Sequence, residues 1–178
     1  EKDKKETRQE MGVLFQGGAL FDSFTVEENI MFPLNMFTKQ PYEEKLERVN
    51  AVLSHVKLTN ANSKYPAELS GGMIKRVAIA RAIAMNPKYL FCDEPNSGLD
   101  PKTAEVIDEL ISELTHKFNM TTVINTHDMN SVLQIGQKIA FINKGELWWE
   151  GDNKEILKAD NKELNDFVFS TELTRRIK

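Results

Sequence analysis

The residues Tyr89–Leu90–Phe91–Cys92–Asp93–Glu94–Pro95 form an apolar run that ends in two adjacent carboxylates, and Leu69–Ser70–Gly71–Gly72–Met73 stands upstream of it. Glycines at the start of a helix leave backbone N–H groups free to hold an anion, and the helix dipole adds to the attraction. Carboxylates at the C-terminal end of a buried strand face the crevice where open α/β sheets bind ligands. Together the two segments predict phosphate chemistry with a divalent metal. Mg²⁺ takes oxygen ligands and keeps several waters, so Asp93 is placed to hold it, directly or through water. Glu94 lies one residue further and points differently, which suits a general base that polarises the attacking water.

The surrounding pattern supplies elements to position these groups. Met11–Phe15 reads as a short buried strand, ended by Gln16–Gly17–Gly18. Leu46, Val49, Leu53 and Val56 predict an amphipathic helix over residues 42–57, with Glu43, Glu44, Lys45, Glu47 and Arg48 on a solvated face. Ser70 is a good N-cap for the next helix, whose inner stripe is Ile74, Val77/Ala78, Arg81/Ala82 and Met85, and Asn86–Pro87 stops it. Residues 89–93 form a strand. Asp100–Pro101 caps a helix with Val106, Leu110, Ile111, Leu114 and Phe118 on its buried side. Thr121–Thr126 is β-branched and continuous, as a buried parallel strand should be, and Asp128–Ile135 is a short helix closed by Gly136. Lys138–Ile142 and Glu146–Glu150 form a hairpin over Asn143–Lys144–Gly145, and the tail from Asn153 to Lys178 reads as one or two helices. Strands alternating with helices predict an α/β domain with a mostly parallel sheet, carrying a mainly helical insertion of roughly Gly17–Met85. The cluster Phe21, Phe24, Met31, Phe32, Met36 and Phe37 is either the core of that insertion or a docking groove for a membrane subunit's helix.

At 178 residues the chain has the length of one domain, and 40% hydrophobic content is enough for a core. A net charge of −4 gives no whole-protein field for nucleic acid, which is not expected as a partner. Cys92 is the single cysteine, so no intrachain disulfide forms; its apolar neighbours predict a core residue rather than a nucleophile, and a reducing compartment. No signal peptide and no apolar run near ~20 residues occurs, so membrane association is expected to go through a partner. His55 and His116 read as surface residues without partners, and the histidines show no metal-ligand spacing.

The same segments resemble the motifs of ABC-transporter ATPases. Leu69–Met73 is similar to the signature motif LSGGQ, Asp93–Glu94 to the end of Walker B, Ser97–Gly98–Leu99–Asp100–Pro101 to the D-loop, His127 to the switch histidine and Gln16 to the Q-loop glutamine. They stand in the family's order and spacing from about Met11 to Gly151. Pro95 and the D-loop behind it weigh against a merely structural acidic pair at Asp93–Glu94. Met73 in place of glutamine, and the stretch Leu14–Ser23, resemble the phospholipid-trafficking MCE or Mla type of the Gram-negative envelope.

The resemblance implies a RecA-like P-loop NTPase core with the inserted ABC helical subdomain, ATP and Mg²⁺ as cofactors, and a homodimer of ATPase subunits. Residues 1–16 and 86–152 would belong to the core, 17–85 to the helical subdomain and 153–178 to a C-terminal tail. Glu94, His127 and Gln16 would be catalytic, with Gln16 also contacting the metal beside Asp93. Ser70, Gly71, Gly72 and Met73 would bind the γ-phosphate of the partner's nucleotide, although Met73 lacks the amide that glutamine offers, and Asp100 would couple the two sites. Permease subunits would dock near Gln16 to Phe37, on the cytoplasmic face of the inner membrane. The alternatives are a soluble ABC ATPase without transport and a non-catalytic interaction module.

No G-x-x-x-x-G-K followed by Ser or Thr occurs, so Walker A is missing, and the chain reads as the C-terminal two-thirds of an ATPase. By resemblance, the Walker A strand would lie between Thr121–Thr126 and Lys138–Ile142. Its absence predicts an open edge on Thr121–Thr126 that is closed by Lys138–Ile142, paired with a second chain, or disordered. Residues 1–178 alone are expected to release no phosphate from Mg-ATP. Turnover that survives repurification and is lost in Glu94→Gln would contradict this.

Overall fold

In a computed structural model, which describes residues 2–168, the sequence forms two compact units that divide between Asn125 and Thr126. The division falls inside the 86–152 segment.

The first unit is built on three parallel strands in the order β1 (Met11–Leu14), β2 (Tyr89–Asp93) and β3 (Thr121–Asn125). Met11 lies beside Tyr89 and Tyr89 beside Thr121, and the register continues to Asp93 beside Asn125. The run before Asp93 and the strand before His127 therefore end at the same edge, as the sequence pattern requires. A polar helix, α1 (Lys2–Gln9), precedes β1; its charged run carries no apolar periodicity from which to predict it.

Helices α2 (Val26–Phe37), α3 (Tyr42–His55), α4 (Gly71–Ile83) and α5 (Pro101–Lys117) share one apolar core with Leu14, Leu90 and Cys92 of the sheet. The strands are buried on that face only. Met11 and Val13 are each 39% exposed, Tyr89 45% and Val123 52%, so the expectation of strands buried on both sides fails. The cause is the placement of the helices: Leu14, Leu90 and Cys92 meet them, while alternate residues point away. Ile139–Asn143 pairs with Glu146–Gly151 in a separate two-stranded sheet rather than extending this one. Among the described residues β3 pairs with β2 alone. A five-residue strand with Thr121, Thr122 and Asn125 presents a short, partly polar edge, the kind that stands without a neighbour.

Three helices differ from their sequence patterns; in α5 the predicted Val106 is 37% exposed and Ile107 is buried instead. Of the predicted stripe of α4 only Val77 and Ala78 are fully buried, Ile74, Arg81, Ala82 and Met85 being half-buried, while α4 also buries Lys75, Ile79, Ala80 and Ile83, so burial runs round much of the helix rather than along one inner face. Arg48, placed on the solvated face of α3, turns inward and donates to the Ile83 and Ala84 carbonyls at 2.8 Å and to Asn86 at 2.6 Å. It thereby gives the Ala84 carbonyl a donor and adds a second donor to the Ile83 carbonyl, which also accepts the Asn86 N–H at 3.0 Å. His55 and His116 also have partners: His55 Nδ1 lies 3.0 Å from Lys117 Nζ with its ring edge-on to Phe118, and His116 Nδ1 lies 2.8 Å from the Ser112 carbonyl.

Thr25 and Glu28 form a capping box at the start of α2. One turn on, the fully buried Asn29 fastens the aromatic loop before the helix. Its Nδ2 donates to the carbonyls of Phe21, Phe24 and Thr25, and its Oδ1 accepts the Phe21 N–H at 2.8 Å. Phe21, Phe24 and Phe32 pack together with Arg81 over the Phe21 ring.

The second unit contains α6 (Met129–Ile135), the antiparallel hairpin β4 (Ile139–Asn143) and β5 (Glu146–Gly151), and α7 (Lys162–Val168). Lys144 and Gly145, both at positive φ, make its tight turn, as predicted. Ile156, Leu164 and Val168 are its small core. The rest of the predicted helical tail, residues 169–178, lies outside the described residues.

Asn29→Ala removes four hydrogen bonds from a buried site. The expected loss is about 2 kcal/mol in urea unfolding; an unchanged midpoint would contradict the role given to Asn29.

Candidate phosphate and metal site

The site forms where β1 and β2 end and α4 and α5 begin. Asp93 is the last residue of β2 and is exposed. Asn125, its neighbour on β3, donates Nδ2 to Asp93 Oδ1 at 2.8 Å and accepts the Glu94 N–H on its carbonyl at 2.9 Å. Glu94 adopts φ 45°, a left-handed conformation that costs a residue with a side chain. Its carbonyl accepts from Lys75 Nζ at 3.4 Å, and the same ammonium donates to the Gln16 carbonyl. The Gln16 side chain reaches Ser97 Oγ at 3.2 Å. Asn96 is anchored on Asp108 of α5 at 3.2 Å, which holds the loop between them. Thus Gln16, Asp93, Glu94 and Ser97, drawn from sequence-distant segments, are brought together.

The signature segment sits beside them. Ser70 caps α4, its Oγ accepting the Met73 N–H at 3.4 Å. Asp100 caps α5, accepting from Thr103 N–H at 3.1 Å and Thr103 Oγ1 at 2.5 Å, and the Thr103 hydroxyl is the main cause that lowers its carboxyl below the usual range. A Cβ on Gly72 would lie 2.9 Å from the Thr103 methyl, and one on Gly71 3.3 Å from Leu99. The Met73 side chain packs against the apolar core, so this residue offers the site its backbone only. His127 is exposed and belongs to the second unit, next to Thr126, whose Oγ1 accepts the Asp128 N–H at 3.1 Å.

Cys92 is buried, and desolvation pushes its thiol up to about 12, which fits the core role expected of it. Sequence reasoning passed over Lys75, Asn96 and Asn125, and named Ser97 only as the start of the D-loop. Lys75 alone left a signal: it is a lysine one residue from Ile74 and two from Val77 in a helix with little room for charge.

The donors suit a hard cation. Asp93 has one oxygen on Asn125 and the other open, and no group of three or more His, Cys, Asp or Glu able to hold a metal occurs among the described residues. Mg²⁺, satisfied by one carboxylate, waters and phosphate oxygens, fits that set better than a cation needing an all-protein cage. The free N–H groups at the start of α4 fit an anion.

The ABC transporter family profile matches residues 1–97, over half of the sequence. The chain belongs to the ABC transporter family. Two curated relatives are methionine import ATP-binding proteins MetN. That of Protochlamydia amoebophila is 45% identical over 150 residues, covering 84% of this chain and 43% of the relative. That of Vibrio vulnificus is 42% identical over 171 residues, covering 96% and 49%. The chain therefore spans about half the length of these relatives. Among solved structures, a dimeric post-hydrolysis state of the ATP-binding cassette MJ0796 bound to ADP and Pi matches with TM-score 0.75 and 34% identity, over 85% of this chain and 66% of that one. CbiO1 of Clostridium perfringens, part of the ABC transporter complex cbiONQ, matches with TM-score 0.81 and 27% identity, over 99% and 70%. These matches carry the ATP-binding, RecA-like fold of ABC proteins. The relatives are named for methionine import, not for phospholipid trafficking. No helix among the described residues is long and apolar enough to cross a membrane.

In this ABC domain, Gly72→Ala is expected to destabilise by about 1–2 kcal/mol through the Thr103 clash. Thr103→Ser removes the methyl but keeps the hydroxyl on Asp100, and should return most of that loss in the double variant. Additive losses in a double-mutant cycle would show that the two residues do not meet. Gly72→Asp is for the same reason a poor probe of phosphate binding, and Ser70→Arg the better one.

Proposed function

We propose that the protein carrying this chain is the ATP-hydrolysing subunit of an ABC transporter, working as a homodimer with membrane-embedded permease subunits. The observation that supports it best is the join of Asp93, Glu94 and Gln16 through Asn125 and Lys75 at one end of the sheet. Glu94 acts as general base, taking a proton from the attacking water while Asn125 fixes its backbone. Asp93 holds Mg²⁺, which when bound neutralises charge on the phosphates. Gln16 orients the water and is tied to Ser97. The N–H groups of Gly71 and Gly72 and the Ser70 hydroxyl receive the γ-phosphate of the partner's nucleotide, Asp100 couples the two sites of the dimer, and His127 is a further catalytic residue that hydrogen-bonds a γ-phosphate and orients the water. Residues 17–85 form the helical subdomain, and the face from Gln16 to Phe37 receives the permease at the cytoplasmic side of the membrane. A P-loop from outside residues 1–178 completes the nucleotide site, so the chain alone is inactive.

The cargo we propose is phospholipid, on the strength of Leu14–Ser23 and Met73. A second reading, methionine import, is favoured by the 45% identical relative of that name. In the intact transporter, hydrolysis stimulated by phospholipid vesicles and indifferent to methionine supports the first; the reverse supports the second.

Glu94→Gln in the full-length protein keeps the shape of the side chain and leaves Asp93 in place. It should reduce hydrolysis at least about 100-fold and trap an ATP-bound dimer, visible by size-exclusion chromatography. Hydrolysis at the wild-type rate would remove Glu94 from the role of base.

A further inference from the structure

Lys75 is only 4% exposed, although lysine is among the residues least often buried. Burial costs an ammonium several kcal/mol unless its protons find acceptors. Here two of the acceptors are main-chain carbonyls of residues distant in sequence, Gln16 at the end of the β1 segment and Glu94 just past β2. Burial lowers the ammonium's proton affinity, and the charge of Glu94 opposes that fall.

The contact with Glu94 falls on a strained residue. A left-handed, non-glycine backbone persists only where its surroundings hold it from both sides. At Glu94 the N–H is held by the Asn125 carbonyl at 2.9 Å, and the carbonyl is held by Lys75 at 3.4 Å. Lys75 also lies little more than one turn beyond Ser70 on the same rigid helix, α4. Any shift of the α4 start therefore reaches Glu94 and Gln16 together.

We infer that Lys75 is a positioning residue, whose ammonium clamps the Gln16 and Glu94 backbones to α4 and so fixes the aim of the Glu94 carboxylate. The inference rests on the proposed roles of Glu94 and Gln16.

The test is steady-state hydrolysis by the full-length protein in its transporter. Lys75→Met keeps the stem and removes the donors. It should lower kcat about tenfold or more while leaving KM for ATP within about twofold, because the carboxylate is misaimed and ground-state binding is not. Lys75→Arg, which retains a cation with N–H donors, should recover more than half of the lost turnover. If Lys75→Met does not fold, Lys75→Gln takes its place, with the same split between kcat and KM expected. Turnover within twofold of wild type, a loss confined to KM, or no recovery in Lys75→Arg overturns the inference. Glu94→Gln separates the two failures. If it is inactive while Lys75→Met is normal, only the clamp is wrong; if it is fully active, the role of Glu94 is wrong and the clamp falls with it.

Discussion

A methyl group at Gly12 would stand 2.5 Å from the Ala82 carbonyl, so the backbone of β1 and helix α4 are in direct contact. Only glycine permits this approach, and much of the first unit is arranged around it. With β1 on one side, α4 is enclosed by α2, α3 and α5 on the others. A helix buried this fully exposes little backbone along its length, but its two ends need partners. Ser70 supplies one at the start, and Arg48, reaching across from α3, supplies the other. The charge of Arg48 suits the negative end of the α4 dipole, which explains a half-buried guanidinium where solvent was expected.

The same enclosure sets the electrostatics of the site. Lys75 projects from the buried part of α4 toward the strand ends, where the carbonyls of Gln16 and Glu94 receive it. At the opposite end of the short loop after β2, Asn96 holds buried Asp108. Around these anchors the chain turns from β2 into α5, with Glu94 at the first and Gly98 just beyond the second both left-handed. The strain at Glu94 is of the order of 1–3 kcal/mol. It is offset by bonds to α4 and β3, two elements whose own packing is independent of the loop.

The parts of this arrangement that were legible in the sequence are those set by local pattern. The strand end at Asp93, the caps at Ser70 and Asp100, and the Lys144–Gly145 turn each follow from residue type at a fixed offset. What was not legible depends on partners far away in the chain. Asn29, Arg48 and Lys75 are ordinary polar residues in their own helices, and only the carbonyls offered by other segments draw them inward. The burial of the strands on one face is of the same kind. An apolar run reads as buried on both sides, yet Met11, Val13, Tyr89 and Val123 face away from every helix in the shared core. Period alone does not distinguish a sheet covered twice from one covered once.

The glycine pair shows how a motif and its packing separate. Both glycines were read as making room for an anion. Gly72 has a different, nearer reason: the Thr103 methyl occupies the place of its side chain. Thr103 is itself fixed by Asp100, so the start of α4 and the start of α5 hold each other through a methyl, a hydroxyl and a carboxylate. Gly71 is exposed, and a Cβ there would press on Leu99 at 3.3 Å, a milder form of the same constraint. Of the two, Gly71 is therefore the position where the fold forbids a side chain less strictly. The loop that carries Leu99 is itself anchored through Asn96 and Asp100.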